Sequence, residues 1–276
     1  MSRTLVGKTL FISGASRGIG LAIAVRAARD GANVALIAKT AEPHPKLEGT
    51  VYTAAEEIEK AGGKALPIVG DIRDDQQVAD AVAATVEKFG GIDICINNAS
   101  AINLSGTEAM DMKRYDLMQS INTRGTYMVS KACIPHLKAS ENAHVLTLSP
   151  PISLQPRWLG GHIGYTIAKY GMSLCTLGMA EEFKNDGIAF NALWPKTLVA
   201  TAAVQNLLGG DAAMAKSRKP EIVADAAYLI LTRDSREYTA NLALVEDVLA
   251  EAGVTDLSQY SYGGDDAELQ ADLFVD

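Results

Sequence analysis

Thr9-Leu10-Phe11-Ile12-Ser13-Gly14-Ala15-Ser16-Arg17-Gly18-Ile19-Gly20 is the stretch from which the fold of this chain can be read. Its first five residues are apolar and β-rich. Three glycines follow, and then an apolar run from Leu21 to Arg29 with helical character. A strand, a glycine turn and a helix in that order bring backbone N–H groups and the positive end of a helix to one point. Such a point suits a pyrophosphate. The spacing is G-x-x-x-G-x-G, not the G-x-G-x-x-G of the usual dinucleotide turn. A plain strand-to-helix connection is the competing reading.

Outward from this turn the same alternation repeats. Asn33 to Ala38 reads as a second strand, and it ends in Lys39-Thr40 with no acid. A free ribose 2′-hydroxyl is usually met by a carboxylate about twenty residues past the glycines. Here Arg17 and Lys39 are placed instead to flank a 2′-phosphate, which favours NADP over NAD. Residues 41–51 contain Pro43, Pro45 and Gly49 and read as a loop. Thr53 and Glu56 have capping-box spacing for the next helix, which Gly62-Gly63 closes. Ala65 to Val69 is the third strand, and Asp74 or Asp75 caps a helix to Phe89. Ile92 to Ile96 is a near-continuous apolar run, as a central parallel strand should be.

Met112 to Lys138 reads as one long helix interrupted by Asn122 and Gly125. His144 to Leu148 is the fifth strand, and a helix around Gly164 runs to about Asn185. Ile188 to Leu193, a helix from Pro220 to Leu231, and Leu242 to Val245 complete the pattern. The expected fold class is therefore α/β, a doubly wound Rossmann-type parallel sheet of about seven strands with helices on both faces. Residues 1–276 read as a single domain, with the acidic stretch 246–276 as a C-terminal tail.

Composition narrows the function classes. The 276 residues carry a formal charge of -8, which disfavours a nucleic-acid partner. Cys95, Cys133 and Cys175 are scattered among apolar neighbours and read as buried reduced thiols. No Cys or His spacing suggests a metal site. No apolar run approaches a membrane span and no signal-peptide pattern opens the chain, so a cytoplasmic setting is expected.

Tyr165 and Lys169 lie four apart on the helix around Gly164, and hence on one face. A phenol normally titrates near ~10. An ammonium held beside it favours the phenolate and draws the group toward the working range. The pair reads as a tuned acid/base.

With these pieces in place the chain resembles the short-chain dehydrogenase/reductase family, and more narrowly its hydroxysteroid-dehydrogenase-like branch. The resemblance rests on Gly14-x-x-x-Gly18-x-Gly20, Asp71, Asn97-Asn98-Ala99, Asn122, Tyr165-x-x-x-Lys169 and Pro195 to Thr201, in family order up to about Val245. Some relatives in that branch carry an added sterol-carrier domain, for which this chain is too short. The resemblance implies that Gly14, Ser16, Arg17, Gly18, Ile19 and Gly20 line the phosphates. Asp71 and Ile72 would border the adenine, and Asn98 and Ala99 the adjoining ribose. Asn122 would bend its helix and hold a water in a proton relay. Tyr165 would be the acid/base, and Lys169 would bind the nicotinamide ribose and lower the Tyr165 pKa. Pro195, Val199 and Thr201 would hold the carboxamide and phosphate end.

Three departures accompany the resemblance. Ser100 and Lys196 stand where the family usually has glycine. The substrate-orienting serine is displaced, because the strand-end register places Pro150 there. Ser153, twelve residues before Tyr165, is favoured for that role, with Ser149 as the alternative. The implied activity is hydride transfer between NADP(H) and a carbonyl or alcohol of a small hydrophobic substrate. Enoyl-thioester reduction and non-catalytic dinucleotide sensing are the alternatives. A homodimer or homotetramer is implied, through the helices at 112–138 and 164–185. Ala168, Gly171, Met172, Cys175, Gly178 and Met179 suit such a packed face, and the monomer's own core is their competing place. The aromatic tail from Tyr260 to Phe274 is expected to cover a substrate mouth or a neighbouring subunit.

Overall fold

The computed structural model describes residues 4–44, 47–263 and 268–275. Seven strands form one parallel sheet: β1 (Thr9–Ser13), β2 (Asn33–Ala38), β3 (Lys64–Val69), β4 (Ile94–Asn97), β5 (His144–Thr147), β6 (Ala189–Trp194) and β7 (Leu242–Leu244). Their order is β3-β2-β1-β4-β5-β6-β7. The order reverses between β1 and β4, where Leu10 pairs with Ile94 and Ser13 with Asn97. Crevices beyond such a reversal are where doubly wound sheets take ligands.

Both faces of the sheet are covered, so the strands are predominantly apolar on both sides. Successive side chains alternate between two cores. Leu10, Ile12, Val34, Leu36, Ile94 and Ile96 meet α1 (Gly18–Ala28), α2 (Val51–Lys60), α10 (Glu221–Leu231) and α11 (Val245–Glu251). Phe11, Ala35, Ile37, Cys95 and Val145 meet α3 (Asp75–Phe89), α5 (Gly125–Leu137) and α7 (Ile163–Glu182).

Several expected boundaries move, each for a local reason. Helix α2 starts at Val51 because Thr50, not Thr53, is its cap. The Thr50 Oγ1 accepts from the Thr53 backbone N–H at 3.1 Å, and Thr53 Oγ1 accepts from the Thr50 N–H at 2.8 Å. Asp74 caps α3 by accepting from the Gln76 and Gln77 N–H groups. The single long helix expected over 112–138 is α4 (Met112–Gln119), a π-helical turn at Ser120–Arg124, and α5. Asn122 sits in that turn, where widened backbone spacing frees its side chain for tertiary bonds. Short helices not anticipated from sequence follow β5 and β6: α6 (Pro156–Leu159), α8 (Ala202–Leu207) and α9 (Gly210–Ala215). The segment expected to be tail from residue 246 instead opens with α11, whose Val248 and Leu249 are buried against α10.

On α7, Ala168, Met172 and Met179 are buried within the chain's own core rather than presented outward. Gly171 packs on Thr123, since a Cβ there would lie 2.4 Å from Thr123 Oγ1. The apolar residues that α7 leaves exposed are Ile167 and Leu174. Among the described residues no helix is long and apolar enough to cross a membrane.

Candidate functional site

The turn after β1 is built by close backbone approach. Gly14 adopts φ +73°, and a Cβ on it would lie 2.7 Å from the Ala99 Cα. A Cβ on Gly20 would lie 2.5 Å from Asn98 Nδ2. The Asn98 amide donates to the Ser13 and Gly14 carbonyls at 3.2 and 2.8 Å. The Ser13 hydroxyl accepts from the Asn98 and Ala99 N–H groups, each at 3.2 Å. Only glycine lets the end of β4 lie this near the turn. Helix α1 starts at Gly18 and has no side-chain cap, so its first N–H groups face the crevice free for an acceptor.

A cleft of about 710 Å³ opens there. Gly14, Ser16, Arg17, Gly18, Ile19, Lys39, Asp71, Ile72, Asn98, Ala99 and Thr201 all line it, as does Ser100. Gly20 lies behind the lining as packing. Asn206 and Leu207 also line it, as do His44, Leu47 and Ile121, which sequence reasoning did not identify. Side chains brought together from separate connections leave no signal in a linear pattern.

Charges at the cleft are already paired. Arg17 donates to the Glu48 and Gly49 carbonyls, each at 2.7 Å. Lys39 Nζ is 3.3 Å from Asp71 Oδ2. Asp71 also accepts from Arg73 at 2.5 Å. The Arg73 hydrogen bonds hold the Asp71 carboxyl well below the usual carboxylate range, with Lys39 adding to the effect.

Tyr165, Lys169, Pro195 and Val199 do not line this cleft. Tyr165 and Lys169 are only 4% and 3% exposed. The Lys169 ammonium donates to the Leu148 carbonyl at 2.9 Å and lies 5.1 Å above the Trp194 ring. Burial draws Lys169 down to about 7, against the opposing charge of Asp272. The expected lowering of the Tyr165 pKa is reversed: burial, and then the nearby Asp272 carboxylate, push the phenol above its ordinary value. Asp272 itself is pushed up to about 7, chiefly by burial.

The residues that close over this half come from the far end of the chain. Phe274 is 3% exposed, and its ring centroid lies 6.0 Å from that of Tyr165. Phe274 thus packs over the Tyr165 ring. Tyr260 instead docks on α10, donating to Asp225 Oδ2 at 2.6 Å. The sequence pattern could flag the apolar run Leu273-Phe274-Val275 in an acidic tail, but not where it lands.

Asn122 is fully buried, and both ends of its amide are engaged with one residue. Its Oδ1 accepts from the Ala101 N–H at 2.9 Å and its Nδ2 donates to the Ala101 carbonyl at 2.8 Å. The side chain thus fixes the loop after β4, using one N–H and one lone pair of the amide. The two candidate serines part company. Ser149 is buried and accepts from the Ser173 hydroxyl at 3.0 Å. Ser153 is tied through its backbone, its N–H donating to Tyr170 Oη at 3.1 Å and its carbonyl accepting from the same hydroxyl at 2.7 Å. Neither hydroxyl bonds to Tyr165 among the described residues. No cluster of His, Cys, Asp and Glu suited to a metal ion occurs among the described residues.

Comparisons with known proteins agree with this architecture. The family model for short chain dehydrogenase matches residues 8–210. A Xenopus laevis relative, hydroxysteroid dehydrogenase-like protein 2, is 59% identical over 257 residues, covering 93% of this chain and 61% of its own length. The chain thus spans about three fifths of that relative. A crystal structure of a short chain dehydrogenase from Mycobacterium thermoresistibile is 66% identical, with a TM-score of 0.92 and coverage of 99% of this chain and 96% of its own. An NADH-dependent reductase, A1-R', complexed with NAD is 27% identical, with a TM-score of 0.71 over 87% of this chain and 95% of its own. From the match across most of its length, and from the sheet order and glycine turn that the match predicts, this chain belongs to the short-chain dehydrogenase family.

Proposed function

We propose that the chain is a nicotinamide-dependent oxidoreductase, using NADP(H) in preference to NAD(H), that interconverts a carbonyl and an alcohol on a small hydrophobic substrate. The observation that carries this reading is a glycine-lined cleft at the reversal of strand order, joined to the helix bearing Tyr165 and Lys169 through the π-helical turn, whose Ile121 lines the cleft and which packs on that helix. The residues present fit the cofactor at its adenosine and pyrophosphate end. The uncapped N-terminus of α1 supplies N–H donors, and the glycines at 14 and 20 permit close approach. Arg17 and Lys39 supply cations at the adenosine end with no acid at the end of β2.

When bound, the cofactor supplies the hydride donor or acceptor. The chain's own residues handle the proton and the geometry. Tyr165 gives a proton to the carbonyl oxygen, or takes it from the alcohol, at its Oη. Lys169 sets the charge around that phenol and is pre-positioned by the Leu148 carbonyl. Asn122 holds the loop after β4 through Ala101. Pro195, Val199 and Thr201 form the wall beyond β6. All of this belongs to the single domain read over residues 1–276, in which the segment 270–275 supplies a cover.

Tyr165→Phe tests the reading. Turnover should be abolished while NADPH binding, and its preference over NADH, stay within a few-fold; retained turnover would reject it. A second reading, enoyl reduction, is favoured by Pro150 standing where the resemblance places the substrate-orienting serine. A 2-enoyl thioester and a ketone assayed in parallel separate the two. We further propose that copies associate through α5 and α7, where Tyr127, Ile167 and Leu174 are exposed. A cytoplasmic setting is part of this proposal, and the free Cys95, Cys133 and Cys175 are compatible with it.

A further inference from the structure

The last described segment returns across the carboxyl edge of the sheet and is held there almost wholly by backbone. Leu198 N–H donates to the Gln270 carbonyl at 2.9 Å, Gln270 N–H to Lys216 at 3.0 Å, and Asp272 N–H to Lys196 at 3.0 Å. Trp194 Nε1 donates to the Leu273 carbonyl at 2.8 Å. These bonds deliver Phe274 into a cage of rings: Tyr170 at 5.3 Å, His162 at 5.7 Å, Trp158 at 5.8 Å, Tyr165 at 6.0 Å and Trp194 at 6.2 Å between centroids. Phe274 reaches it with φ +67°, a left-handed conformation that L residues adopt at a cost.

A phenol that is to exchange a proton with a substrate needs that substrate beside it. In this conformation the group beside the Tyr165 ring is a phenyl ring of the chain itself. The Tyr165 hydroxyl makes no hydrogen bond among the described residues, while the space next to it is shaped and lined for one apolar ring. We propose that Phe274 is an internal stand-in for the substrate: the cage of Trp158, His162, Tyr170 and Trp194 is the substrate pocket, it takes an alcohol or carbonyl compound bearing a single apolar ring, and such a compound enters by displacing residues 270–275. This rests on the Tyr165 chemistry proposed above. The backbone ties that hold the segment are few and non-covalent, and its withdrawal releases the strained φ at Phe274. Withdrawal also removes the Asp272 carboxylate from beside Lys169 and Tyr165, which rehydrates the phenol for proton transfer.

The chain's two tryptophans, Trp158 and Trp194, both flank Phe274, so intrinsic fluorescence reports on the cage without any turnover. The probes are cyclohexylmethanol and linear 1-heptanol, titrated into the full chain, into Phe274→Ala, and into a chain ending at Leu269. A site occupied by its own segment most of the time binds weakly in proportion to the open fraction. Cyclohexylmethanol should therefore half-saturate both altered proteins at least about tenfold lower than the full chain. It should also bind them more tightly than 1-heptanol. Equal midpoints in all three proteins, weaker binding after either change, or no preference for the ring would each overturn the proposal. Far-UV circular dichroism confirms that the altered chains are folded, and Phe274→Leu, which keeps an apolar plug, should titrate like the full chain. The Tyr165→Phe turnover assay fails or succeeds independently of these fluorescence shifts, so the two readings can be told apart.

Discussion

Replacing Gly20 by alanine should destabilise this protein although alanine is the better helix former. In an open helix the change gains up to about 1 kcal/mol. Here the new Cβ would lie 2.5 Å from Asn98 Nδ2 and 2.9 Å from the Gly14 carbonyl. To make room the Asn98 amide must leave the Ser13 and Gly14 carbonyls, which it meets at 3.2 and 2.8 Å. Each bond is worth about 0.5–1.5 kcal/mol. Forcing extra atoms into packed backbone adds about 1–3 kcal/mol. Against the propensity gain, the net loss is roughly 1–5 kcal/mol. At about 2–4 °C per kcal/mol for a chain of this class, Tm should fall by roughly 2–20 °C. The assay is thermal denaturation, paired with NADPH titration, because the same movement shifts the glycine turn and should weaken binding. Gly91→Ala is the control: a Cβ there meets nothing within 4 Å and the backbone is not left-handed. It should change stability by less than about 0.5 kcal/mol. If Gly20→Ala were as stable as Gly91→Ala and bound NADPH equally well, the close approach of β4 to the turn would not be what holds the site open.

Two further outcomes follow from other parts of the molecule. Asp71 has a folded-state pKa depressed below 3.8, chiefly by Arg73, so its contribution to stability is present above that value and is lost as pH falls through the folded one. Asp71→Asn should therefore flatten the decline of Tm between about pH 5 and pH 2; an unchanged slope would show that the Arg73 and Lys39 contacts contribute nothing. Leu174 is 60% exposed and lies seven residues from the 47% exposed Ile167, on the same stripe of α7. Leu174→Glu should lower the mass measured by light scattering, and an oligomer of unaltered mass would place the interface elsewhere.

Much of this architecture could be read along the chain because its causes are local or periodic. Continuous apolar runs mark strands covered on both faces, and the seven of them emerge within a few residues of where sequence puts them. Asp74 ahead of Gln76 and Gln77 marks a helix start, and Gly187 at φ +73° marks an end. The glycine turn is legible for the same reason: its backbone requirements are met by residue type alone. The cleft lining follows from it, since parallel strands place their carboxyl ends side by side.

What sequence leaves open is set by contacts between distant segments. The true cap of α2 is a reciprocal bond between two threonines, and spacing could not rank it above Thr53 and Glu56. The surroundings of Tyr165 are the larger case. Spacing on α7 brings Lys169 near, but the direction of the phenol's shift depends on what excludes water and which charges lie opposite. Those are Phe274 and Asp272, more than 100 residues away in the chain and held by backbone bonds to residues 196–198 and 216. Sequence determined the sheet, the turn and the placing of Tyr165 and Lys169 one turn apart on a single helix, because backbone propensity and periodicity act over short range. The tertiary structure alone decided that the pair is covered and by which residues, because burial and charge act through space without regard to position in the chain.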